Sequence, residues 1–124
     1  MANIPEDYQT VTTYLIIKNA VAFIQFMQTV FNAEVVNKHM RDENTIMHAE
    51  LKIGNSIIML ADSTPQYAPA NANLFIYVED ADATYKKAID NGAATVTELT
   101  NQSYGRSGGV KDSFGNTWWI TSVI

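Results

Sequence analysis

The sequence contains no cysteine, which excludes a disulfide framework, a thiol nucleophile and any cysteine-based metal site. Basic residues are scarce, 8 Lys and Arg against 13 Asp and Glu, and the formal net charge is −5. A nucleic-acid or anionic-membrane surface needs a basic patch, so no nucleic-acid partner and no membrane partner is expected. No apolar run is long enough to cross a bilayer. The first seven residues have no basic segment followed by an apolar one, so no secretion signal is read, and a cytoplasmic location is the expectation. There are only 3 prolines, and two of them, Pro65 and Pro69, fall in the single stretch that reads as a linker, residues 63–72.

What is present is one compact domain's worth of apolar material: 124 residues, 47% of them hydrophobic. It is organised as a repeat. The turn Asp112-Ser113-Phe114-Gly115-Asn116 runs into the strand-forming Thr117-Trp118-Trp119-Ile120, and Ile53-Gly54-Asn55-Ser56-Ile57 reads the same way. Gly54 and Gly115 stand 61 positions apart, as do Asn55 and Asn116, Asn19 and Asp80, and Val35 and Val96. One offset that aligns several separated places indicates an internal duplication.

Each copy reads β-α-β-β-β. In unit one, about residues 8–62, Val11–Ile17 is a β-branched and aromatic strand. Asn19 is placed to cap a helix over 20–31, whose Ala20, Phe23, Ile24, Met27, Val30 and Phe31 recur at helical spacing, and Asn32 is placed to stop it. Strands follow over 34–39 and 45–53, and a Gly54-Asn55 hairpin leads into 56–61. Unit two, about 73–124, repeats this plan: a strand over 73–78, a helix over 81–91 capped by Asp80 and ended by Gly92, a strand over 94–99, a loop over 101–106, and strands over 107–112 and 117–123, with a bulge near Gly108-Gly109.

These segments resemble the glyoxalase, bleomycin-resistance and ring-cleaving dioxygenase (vicinal oxygen chelate) superfamily. The residues that carry the resemblance are Ile17-Lys18-Asn19-Ala20 with Phe23, Val78-Glu79-Asp80-Ala81, Asn91-Gly92-Ala93 and Asp112-Ser113-Phe114-Gly115-Asn116. Met47–Gly54 and Met59-Leu60-Ala61-Asp62 are similar to the PhnB-like branch. The resemblance implies a single glyoxalase-like α+β domain over 1–124. It would consist of two pseudo-two-fold-related βαβββ units, with curved antiparallel sheets around a cup and helices outside, and a homodimer is expected.

Metal-using members place His or Glu at four related positions, which fall here on Thr12, Ile58, Asn73 and Trp119. None is an acid, a histidine or a cysteine, so no metal site and no cofactor are expected. A one-residue slip would bring in Met59 or Ile120, which changes nothing in this respect. Strand alternation puts Tyr14, Ile16, Leu60, Phe75, Tyr77, Thr117 and Thr121 on the face of those four positions, and Leu15, Ile17, Leu74, Ile76 and Trp118 toward the helices.

The expected ligand-binding residues are therefore Tyr14, Phe75, Tyr77 and Trp119, an aromatic lining suited to a flat small molecule, or equally to a filled core. Arg106, beside three glycines, is added as a fork for a carboxylate or phosphate. The expected catalytic pair is His48 and Glu50, i and i+2 on one strand face, where a carboxylate orients an imidazole for proton transfer; otherwise the two belong to a solvated face continued by Lys52. His39 could join them in a displaced metal site. Three function classes stay open: a binder of a small, partly aromatic or carbonyl-bearing molecule without the usual metal; a lyase or isomerase-type enzyme using His48 and Glu50; and a protein-interaction module.

Overall fold

A computed structural model describes residues 2–124; Met1, the first residue of the N-terminal stretch read above, lies outside them. The chain forms two compact units, one up to Ala70 and one over Asn71–Ile124.

Unit one is β1 (Tyr14–Ile17), α1 (Ala20–Phe31), β2 (Glu34–Met40), β3 (Ile46–Ile53) and β4 (Ser56–Asp62). Its sheet has the order β1-β4-β3-β2. Unit two is β5 (Asn73–Tyr77), α2 (Ala81–Asp90), β6 (Ala94–Gln102), β7 (Gly105–Lys111) and β8 (Thr117–Ser122), ordered β5-β8-β7-β6. Both units are thus βαβββ, as the repeat predicts. The sheets are mixed rather than purely antiparallel, because β1 pairs parallel with β4 and β5 with β8. A helical crossover returns the chain in its original direction, so β1 runs with β2, and the two hairpins that follow leave β4 running the same way.

The apolar spacing of α1 does what it predicts: Ala20, Phe23, Ile24, Met27, Val30 and Phe31 are all buried, and Asn32 closes the helix in the left-handed region at φ 58°. The start of α1 differs from expectation. Asn19 itself adopts φ 68° and its side chain caps nothing. The free N–H of Ala20 is taken instead by Asp62 Oδ1 at 2.9 Å, and Asp62 Oδ2 accepts from Ile46 N at 2.6 Å. One buried carboxylate at the end of β4 therefore ties helix and sheet together. In α2 the expected cap is present, with Asp80 accepting from Ala83 N at 3.1 Å.

The residues expected to form a loop over 101–106 form a hairpin. β6 continues to Gln102, β7 begins at Gly105, and only Ser103-Tyr104 turns between them. Gly105, at φ 145°, runs so close to β8 that a Cβ there would stand 2.5 Å from Ser122 O. The irregularity expected near Gly108-Gly109 lies in the facing strand, where the β6–β7 register shifts between Thr97 and Thr100. Residues 63–72 are divided between the units. Ser63 and Ala70 donate back to Ile17 O and Ile16 O, whereas Ala72 bonds to Thr117 and Asn116 in unit two.

Candidate functional site

Residues paired across a sheet share a face. In unit one, Tyr14 pairs with Met59, Met59 with Glu50, and Glu50 with Asn37. The adjacent row, Leu15, Leu60 and Ala49, is fully covered on the helix side. Ile58 and Leu60 therefore do not share the face of Tyr14, as the sequence reading had them; Met59 does. The reason is the turn. Gly54-Asn55 is a two-residue hairpin, whereas five residues separate Lys111 from Thr117 in unit two, so an offset anchored on the glycines places β4 one residue out. A one-residue slip reverses every side chain.

The expected catalytic pair is brought together. His48 Nε2 and Glu50 Oε2 are 2.8 Å apart, and Glu50 is buried at 7% exposure. The pair is part of a longer chain. Tyr8 donates its hydroxyl to Glu50 Oε1, and Tyr14 Oη lies 3.3 Å from His48 Nδ1, with the two rings 5.7 Å apart. Both imidazole nitrogens are thus occupied. Burial pushes the Glu50 carboxyl up, but the Tyr8 hydroxyl first and His48 second hold it below the usual glutamate range, and the same bond raises Tyr8.

Glu50 lines a cleft of about 500 Å³ together with Met59, Asn37 and the N-terminal segment, which contributes Ile4, Pro5, Tyr8, Gln9 and Thr12. That segment carries no regular structure and is pinned by Tyr8 on Glu50 and by Gln9, whose Nε2 donates to Ile57 O at 2.6 Å. Sequence reasoning missed Tyr8, since nothing in a residue 42 positions from Glu50 signals the contact.

In unit two the face assignment holds. Phe75 pairs with Trp119, Trp119 with Gly109, and Tyr77 with Thr121. Phe75 and Tyr77 are exposed and pack edge to face at 5.1 Å, and Tyr104 joins Phe75 at 6.2 Å. The Trp119 ring lies over Gly109, where a Cβ would stand 2.6 Å from it, and its Nε1 donates to Asn73 Oδ1 at 3.3 Å. Tyr104 was hidden from the sequence by the assumption of a loop. Thr121 lines nothing: it is fully buried and bonded to Ser107 at 2.8 Å.

Arg106 does not join this face. It sits one residue away from Ser107 on β7, and its fork is engaged by both oxygens of Asp82 on α2, at 2.8 and 3.0 Å, and by Asn101 Oδ1 at 3.1 Å. The guanidinium holds Asp82 below the usual aspartate range. The fork expected to hold a ligand is engaged here by an ion pair that ties α2 to β7.

The four positions carried over for a metal, with Met59 in place of Ile58, offer a hydroxyl, a thioether, an amide and an indole, a donor set that does not fit a catalytic divalent cation. Among the described residues no group of three or more His, Asp or Glu side chains converges on a common point, so His39 does not complete a site with His48 and Glu50.

Residues 9–120 match the Glyoxalase/Bleomycin resistance protein/Dioxygenase superfamily. The chain belongs to that superfamily. An uncharacterized protein of Mycobacterium bovis is 28% identical to it over 123 residues, covering 90% of this chain and 81% of the relative. Among solved structures, the PhnB protein of Bacillus cereus superposes with a TM-score of 0.71 at 22% identity, covering 93% of this chain and 100% of that one. TnmS3, an antibiotic-binding protein from a Streptomyces species, has a TM-score of 0.71 at 14% identity, covering 94% and 100%. At such identities the structures show a shared fold. Among the described residues, no helix of this superfamily member is long and apolar enough to cross a membrane.

Proposed function

We propose that this glyoxalase-superfamily chain is a cytoplasmic, homodimeric protein that binds a small, partly aromatic or carbonyl-bearing molecule without the metal used by other members. The observation that carries the reading is the cleft of unit one. At about 500 Å³ it falls within the range of about 300–1,000 Å³ typical of ligand pockets. Ile4, Pro5 and Met59 give it apolar walls, and Tyr8, Gln9, Thr12 and Asn37 bring neutral hydrogen-bonding groups of the kind that orient a carbonyl. Its charged group, Glu50, is an anion at neutral pH, which selects against anionic ligands. The exposed rings of Phe75 and Tyr77 beside Trp119 offer stacking surface for flat molecules in their own right. An antibiotic-binding protein of the same fold adds analogy and no more. For the dimer, support comes from Val36, Met40 and Val96, exposed on the edge strands β2 and β6.

The test is a panel of neutral aromatic ketones and amides titrated against isotopically labelled protein, reading the Met59 methyl and Tyr8. A panel that leaves both unmoved defeats the cleft as a binding site. Light scattering that gives a monomer mass at micromolar concentration defeats the dimer.

One observation favours a second reading, an enzyme of the lyase or isomerase type: the hydrogen-bonded chain Tyr14–His48–Glu50–Tyr8. With Glu50 ionised and accepting from Nε2, Nδ1 is the basic nitrogen, shielded by the Tyr14 hydroxyl. A bound carbonyl compound that displaced this hydroxyl would expose Nδ1 for proton abstraction. Replacing His48 by Gln keeps the size and removes the base. A catalyst would lose turnover while still binding, and a binder would show no reaction to lose.

A further inference from the structure

Unit one carries a second recess of opposite character. It holds about 240 Å³ and lies beyond Tyr14 from the Glu50 cleft, between the ends of β1 and β4 and residues 64–67. Its walls are Tyr14, Ile16, Met47, Ala61, Thr64 and Tyr67; Arg41 is its cationic group, and Asp62 also lines it. We propose that this recess binds a small single-ring aromatic carboxylate, with the Arg41 guanidinium taking the carboxylate and the ring held between Tyr67, Tyr14 and Met47.

Four observations carry this. First, among the described residues the Arg41 guanidinium makes one long bond, 3.5 Å from Nη2 to Asp62 O, whereas Arg106 uses its whole fork on Asp82 and Asn101. An arginine fork presented to a recess is shaped for a planar two-oxygen anion. Second, the carboxylates of Asp62 and Asp42 accept from backbone N–H groups rather than from the Arg41 fork, and Asp42 keeps only a charge attraction to Arg41. Asp62 spends its carboxylate on the backbone N–H groups of Ala20 and Ile46, and Asp42 folds onto the N–H groups of Asn44 and Thr45 at 2.8 Å each. Third, the wall contributed by residues 64–67 is built rather than loose. Thr64 and Tyr67 exchange backbone hydrogen bonds at 2.9 and 3.1 Å, Thr64 Oγ1 accepts from Tyr67 N at 3.0 Å, and Ala70 bridges to Ile16. Tyr67 is thereby held with most of its ring exposed at the recess, where an aromatic ligand would cover it. Fourth, the size is below the range of about 300–1,000 Å³ that suits drug-sized ligands, which favours a molecule of one ring.

The inference does not depend on the ligand of the larger cleft, which its glutamate biases against anions. Benzoate, benzamide and acetate are titrated separately against labelled full-length protein by NMR. Benzoate is expected to shift the Arg41 side-chain, Met47 methyl and Tyr67 ring signals, with benzamide and acetate each binding at least about tenfold more weakly. Arg41→Gln, checked by its melting curve, is expected to weaken benzoate by about tenfold or more and to leave benzamide unchanged. The proposal is overturned if benzoate shifts none of these signals, if benzamide or acetate matches it, or if Arg41→Gln binds benzoate as well as the parent does. Should that variant not fold, the comparison of benzoate with benzamide on the unaltered protein decides alone.

Discussion

Tyr8 donates its hydroxyl hydrogen to Glu50 Oε1, so an N-terminal segment without regular structure is fastened to the polar row at the centre of unit one's sheet. That bond does two things at once. It holds the wall of the larger cleft in place, and it keeps a buried carboxylate ionised.

The first prediction concerns this carboxylate. A carboxyl held below its unfolded value contributes stability above the unfolded pKa, near 4.3 for glutamate, and loses that contribution as pH falls through the folded value. Tyr8→Phe removes the largest of the causes that lower Glu50. The Glu50 carboxyl carbon, followed by NMR, should then titrate at higher pH than in the parent, and acid unfolding should begin at higher pH. An unchanged Glu50 titration would show that the phenol is not its partner in solution.

A second prediction tests the contact of Trp119 with Gly109. A Cβ at Gly109 would stand 2.6 Å from the indole, so Gly109→Ala forces the ring off β7 and should cost about 1–3 kcal/mol in denaturant unfolding. Trp119→Ala alone should destabilise by leaving a void. The double variant should be more stable than the sum of the two single costs implies, because the clash disappears with the ring. Simple additivity would refute the contact.

The third concerns Asp62. Its two oxygens serve the first N–H of α1 at 2.9 Å and the N–H of Ile46 at 2.6 Å. Asp62→Ala should cost about 2–4 kcal/mol, combining a lost helix cap with charge-assisted bonds to buried groups. Asp62→Asn can satisfy one acceptor position but not both, and should fall between. A variant with parental stability would contradict the tie.

How far the sequence could be read depended on the range of the signal. Helical spacing placed α1 correctly to both ends, because burial of one face repeats every three to four residues within the segment itself. The capping of α1 was misassigned to Asn19, because the real partner, Asp62, arrives from the far end of the unit. His48 and Glu50 could be paired from their i, i+2 spacing alone. Tyr8 and Tyr14, which complete the chain, could not be assigned to it, since each comes from a segment distant in sequence.

The amino-acid order by itself determined the repeat, the order and kind of the elements in each unit, the shared face of Phe75, Tyr77 and Trp119, and the absence of acid or imidazole donors at the inherited metal positions. These follow from local periodicity and residue chemistry. Only the tertiary structure decided that Met59 and not Ile58 faces outward with Tyr14, that Arg106 is spent on Asp82 while Arg41 is left over, and that the N-terminal segment walls a cleft above Glu50. Each of these depends on strand register or on pairing between distant residues. Register is fixed by turn length and by burial of the whole sheet face, and neither is written in any single stretch of the chain.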